Sequence, residues 1–132
     1  MKKFTGNLAL VFSLLAFPLL AAGAEYKPYE EPNISPEQWD SYRATVVEKY
    51  GDSVQLFTEQ HLAVYFNEQQ ATSYAFTTEG HAAHPAWITR QVVEDEGQVS
   101  IEQIGYFAGE EAPFSVLFRQ YLELNEQIQN GH

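Results

Sequence analysis

The chain contains no cysteine. That excludes disulfide staples, thiolate nucleophiles and the lipid-bearing cysteine of a lipoprotein. Its one methionine is Met1, so nothing downstream carries a sulfur side chain. Basic residues are scarce: seven Lys and Arg stand against eighteen Asp and Glu, for a formal net charge of −11. An acidic surface repels phosphate backbones and anionic headgroups, which argues against nucleic acid and against peripheral membrane binding. Motifs for nucleotide or nucleophile chemistry are missing too. No P-loop or dinucleotide fingerprint appears, and no G-x-S-x-G elbow surrounds Ser41, Ser53, Ser73, Ser100 or Ser115. Eighteen carboxylates offer no spacing that selects a pair for glycoside hydrolysis.

A membrane-spanning run is also lacking. The longest apolar stretch, residues 8–20, is shorter than the ~20 residues needed to cross a bilayer, and Pro18 interrupts it. What is present there is a secretory leader. Lys2 and Lys3 precede the apolar stretch and Ala22-Gly23-Ala24 closes it, the small side chains that a signal peptidase pocket admits. Residues 1–24 are therefore expected to be a signal peptide cut between Ala24 and Glu25, leaving no stable anchor. Export is the expected fate, to the periplasm first and to the extracellular space as the alternative. The leader holds two of the seven basic residues and none of the acidic ones, so the remainder is more acidic still. Solubility is the simplest consequence of that charge.

Residues 25–34 read as an extended linker, with Pro28, Pro32, Tyr26 and Tyr29 and no apolar periodicity. A single domain is expected over residues 35–130. Ser35 has the position of an N-cap, with Pro36 at the first helical position and Gln38 completing a capping box. Trp39, Tyr42, Val46, Val47 and Tyr50 then recur at helical spacing, and Gly51 reads as the stop.

Strands are expected over residues 54–58, 62–66 and 71–78, the last two forming a hairpin; residues 58–70 also fit a helical period. Residues 86–107 form the clearest hairpin, around Glu94-Asp95-Glu96-Gly97. A three-residue loop ending on Gly97 pairs Arg90 with Glu102, Ile88 with Ile104, Val93 with Val99 and Trp87 with Gly105. A final helix begins near residues 110–113, with Phe114, Leu117, Phe118, Tyr121, Leu124 and Ile128 as its apolar stripe and Asn125 intruding on it.

Helix, four or five antiparallel strands, helix: the expected fold is a two-layer α+β domain, a sheet burying a face against an N-terminal and a C-terminal helix. In element order and size it resembles small secreted binding folds of the cystatin sort, with no sequence motif behind the likeness. Tyr74, Phe76, Trp87, Tyr106 and Phe107 are expected in its core rather than in a ligand cleft.

One segment carries possible chemistry. Glu79-Gly80-His81-Ala82-Ala83-His84-Pro85 holds half of the four histidines in a loop between strands. His81 and His84, with Glu79 beside them and His61 as a further ligand, offer imidazole and carboxylate donors suited to zinc or copper. The simpler role is to hydrogen-bond the loop's own backbone. The expected function is thus an exported, non-enzymatic binding protein for an undefined protein or small-molecule ligand, with metal binding at this loop as the alternative.

Overall fold

The computed structural model describes residues 31–130. The expected leader (residues 1–24), its cleavage point, and Tyr26 and Tyr29 lie outside the described residues.

Helix α1, Pro36–Tyr50, starts where its capping chemistry puts it. Ser35 Oγ accepts the Gln38 amide at 3.1 Å and Gln38 Oε1 accepts the Ser35 amide at 2.9 Å, closing the capping box. Its end differs from the expectation. Gly51 is right-handed, with φ −59°, and the chain continues through a 3-10 turn, Gly51–Ser53. Ser53 Oγ donates to the Tyr50 carbonyl at 2.6 Å and accepts the Phe66 amide at 2.8 Å. That hydroxyl draws the chain onto the sheet, so no left-handed residue is needed to release the helix.

Strands β1 (Gln55–Phe57), β2 (Leu62–Asn67), β3 (Thr72–Thr77), β4 (Ala86–Asp95) and β5 (Gln98–Phe107) follow, and helix α2 (Glu111–Asn130) ends the domain. The strands form one antiparallel meander in chain order. The helical alternative across residues 58–70 does not form. Two short 3-10 turns end there on left-handed residues, His61 at φ 58° and Ala71 at φ 49°, and the β2–β3 hairpin closes between Asn67 and Thr72 as expected.

The β4–β5 hairpin forms with a register one residue away from the expected one. Arg90 faces Gln103 rather than Glu102, Trp87 faces Tyr106 rather than Gly105, Ile88 faces Gly105 and Val93 faces Ser100. The loop has two residues, not three: Glu96 and Gly97 are both left-handed, at φ 56° and 83°, while Asp95 already pairs with Gln98. Positive φ at both central positions is the turn whose twist matches that of the strands, and Gly97 takes it at no steric cost.

The pleat sorts the side chains. Ala63, Tyr65, Tyr74, Phe76, Trp87 and Tyr106 occupy one face; Leu62, Val64, Phe66, Ala75, Ile88, Arg90, Gly105 and Phe107 occupy the other. Trp39 and Val46 of α1 join the first set in one core cluster, and Phe114, Leu117 and Phe118 of α2 join Ile88 and Phe107 in a second. The α+β fold class is as expected: a five-stranded antiparallel sheet with an N-terminal and a C-terminal helix. The helix-on-sheet contact is made twice, once on each face, rather than by both helices on a single face. Of the aromatics expected in the core, Phe76, Trp87 and Phe107 are buried, while Tyr74 and Tyr106 are half-buried at its margin. The extended stretch ends docked: Phe107 donates to the Pro32 carbonyl and Ile34 to the Phe107 carbonyl, each at 2.9 Å. Among the described residues no helix is long and apolar enough to cross a membrane.

Candidate functional site

The histidine loop is built around a buried hydroxyl. Thr77 Oγ1 accepts the Ala86 amide at 2.9 Å, lies 3.1 Å from the Ala86 carbonyl and meets His84 Nδ1 at 2.8 Å. A hydroxyl has one proton and two lone pairs. All three contacts are satisfied together when Thr77 donates to the Ala86 carbonyl and His84 donates from Nδ1, which assigns that tautomer by the network. The His84 ring also meets Trp39 edge-on at 5.1 Å. His81 turns its Nδ1 elsewhere, accepting the Ala83 amide at 2.9 Å. The His61 ring lies against Gly80, and Glu79 is exposed. Among the described residues no group of three His, Asp or Glu side chains gathers as a metal would require. The zinc or copper alternative rests on the sequence spacing of His81, His84 and Glu79 alone.

This geometry gives His81 a pH dependence. Burial, first, and then positive charge on His61 and His84 hold its imidazole below the ordinary value of 6.5. Its acceptor role toward Ala83 also requires a neutral Nδ1. The unfolded chain therefore takes up the proton before the folded one does as pH falls. The contribution is fully present above about pH 6.5 and is lost as pH drops through the folded value. Melting temperature should decline on acidification below that point, and more steeply for the wild type than for His81→Gln; equal slopes would remove His81 as the cause.

The larger concavity lies on the α2 face of the sheet, which α2 covers unevenly. The helix lies along β4 and β5, held by a polar relay. Arg90 Nε donates to Asn125 Oδ1 at 2.9 Å, Asn125 Nδ2 to Gln103 Oε1 at 2.8 Å, and Gln103 Nε2 to the Phe118 carbonyl at 2.9 Å. Asn125 is thus a buried structural residue rather than an intrusion on the stripe. The expected stripe is corrected at its far end: Leu124 and Ile128 are 39% and 43% exposed.

Among the described residues no helix lies above strands β1–β3 on this face. Between them and α2 runs a groove of about 380 Å³, floored by Leu62, Val64, Phe66 and Ser73 and walled by Phe57 on one side and Leu117, Tyr121 and Leu124 on the other. A second lobe of about 370 Å³, lined by Val92, Ile101 and Ile128 among others, shares Phe66, Ser73 and Arg90 with the first. Those volumes fall within the range of small-molecule sites.

Among the described residues Arg90 is the only charged side chain lining the first lobe. Its guanidinium lies over the Tyr121 ring, 4.9 Å from the centroid, and burial holds it below its usual value. Burial likewise raises the Tyr121 phenol, with Arg90 opposing. No carboxylate of the described residues pairs with Arg90, whose one hydrogen bond is the Nε bond to Asn125. The cross-strand neighbour of Arg90, Ser73, adds a hydroxyl at the same place.

Reading the sequence for metal and nucleophile motifs missed this groove. A signal was available: Leu62-Ala63-Val64-Tyr65-Phe66 is apolar at every position, so both its faces need covering. No protein-family model, no curated protein and no solved structure matches the chain.

Proposed function

We propose that the protein is an exported, non-enzymatic binding protein that holds an apolar small molecule in the groove between α2 and strands β1–β3. The observation that carries this reading is the half of the sheet face that no helix of the described residues covers, where Phe57 and Leu124 stand 41% and 39% exposed across a floor of buried or half-buried apolar side chains. Large exposed apolar surface on a soluble domain marks a place where something binds. Export, with the periplasm as destination, is supported by the layout of residues 1–24.

Opposite, the cleft beside α1 is a weaker candidate, because its aromatic walls are engaged with one another. Tyr42 stacks on Trp87 at 4.8 Å and Tyr50 on Tyr74 at 5.6 Å. Titration with Nile red, a neutral solvatochromic dye, tests the proposal. The dye should bind with a blue shift, and Leu124→Glu or Phe57→Glu should weaken binding tenfold or more. Val116→Glu alters an exposed helix position that does not line the groove and should bind as the wild type does. Equal binding by all four proteins, or none by the wild type, would defeat the proposal.

A further inference from the structure

The groove is apolar but not featureless, and the charge at the junction of its lobes is out of character with the molecule. In a chain of net charge −11, a guanidinium with no carboxylate partner among the described residues sits between the two lobes. A half-buried cation without a counter-ion is costly, and the described residues do not supply the counter-ion. Arg90 is also fixed in place before any ligand arrives. Asn125 holds its Nε, the Tyr121 ring lies beneath it, and the Nη groups are left to donate.

We infer that the ligand is a single-chain carboxylate: its head group meets Arg90 and Ser73, and its alkyl chain lies in the first lobe. Arginine and carboxylate match as two planar forks, and one negative charge balances that of Arg90. A phosphate head group would bring about −1.5 to −2 charges and leave part of that charge uncompensated. The chain runs into the first lobe because the second carries Glu68 on its wall. The protein's net charge opposes an anion at long range. Screening over about 8 Å at physiological salt confines that repulsion, while the guanidinium acts at contact.

This inference rests on the binding function proposed above, and calorimetry with the exported protein separates the two. Dodecanoate is the probe, with 1-dodecanol and dodecyltrimethylammonium as chain-matched controls. Dodecanoate should bind at least tenfold tighter than either control, as hydrogen bonds to charged groups allow. Each methylene removed from its chain should weaken binding about fourfold. Arg90→Met should abolish the preference for the carboxylate, and Arg90→Lys should retain part of it; the comparison of head groups on the wild type stands even if a variant misfolds.

Equal binding of all three head groups leaves the apolar groove in place and overturns the carboxylate. No binding of any chain overturns both. A concentration-dependent dimer that excludes dodecanoate assigns the groove to a second copy. Binding that appears only after proteolytic removal of the residues before Glu31 assigns it to that segment. Either result overturns the inference.

Discussion

Phe118→Ala should cost about 3–5 kcal/mol, the range for truncating a fully buried aromatic side chain and leaving a cavity behind. Phe118 is 1% exposed and packs with Phe114, Leu117 and Ile88. A domain of this size has roughly 5–15 kcal/mol to lose, so the melt should shift by well over ten degrees. Leu124→Ala, on the same helix but 39% exposed, should cost under about 1 kcal/mol by comparison. The contrast separates a docked stripe, which ends near Tyr121, from the exposed wall of the groove. Comparable losses for Phe118→Ala and Leu124→Ala in the unliganded protein would erase that distinction.

Gly105→Ala should cost about 1–3 kcal/mol although it adds one methyl group, because the site is already full. A Cβ at position 105 would lie 2.8 Å from Phe118 Cδ1 and 2.9 Å from Phe114 Cζ. Both rings are buried to within 1%, so a shift of either disturbs packed neighbours. In the Phe118→Ala background the same methyl group enters the space the ring vacated, so the two substitutions should be strongly non-additive, by about 0.5–3 kcal/mol. Simple additivity in chemical denaturation would mean that α2 does not sit on Gly105. The register matters here: with Gly105 opposite Ile88 rather than Trp87, the glycine lies on the α2 face, where the phenylalanine rings need the space.

That register shows where sequence reading stops. Ser35, Pro36 and Gln38 specify α1 locally, through bonds spanning three residues, and so they are legible. The alternation of apolar residues marks the strands, and the polar residues 67–70 mark the β2–β3 turn. The β4–β5 turn turned on a single backbone conformation: Glu96 is left-handed, which no side-chain pattern announces, and one residue of loop length re-pairs the whole hairpin. Asn125 looks like a flaw in a stripe until its partners, Arg90 and Gln103, arrive from two strands. The groove is hidden for a related reason. Its walls come from β1, β2, β3 and α2, and its existence depends on where α2 lies across the sheet, which is set by Gly105 and the relay through Gln103. The histidines drew attention because their chemistry is local, whereas Arg90 becomes notable only once it is seen to have no carboxylate partner among the described residues.

The most direct test is chemical-shift mapping of the 15N-labelled protein during titration with dodecanoate. The expected result is a set of perturbations on Leu62, Val64, Phe66 and Ser73 and along Leu117–Leu124, together with a shift of the Arg90 side-chain Nε–H. Trp39 and Trp87, on the opposite face, should keep their indole resonances. Perturbations centred on those indoles or on His81 and His84, with the groove residues unmoved, would contradict the placement of the ligand site.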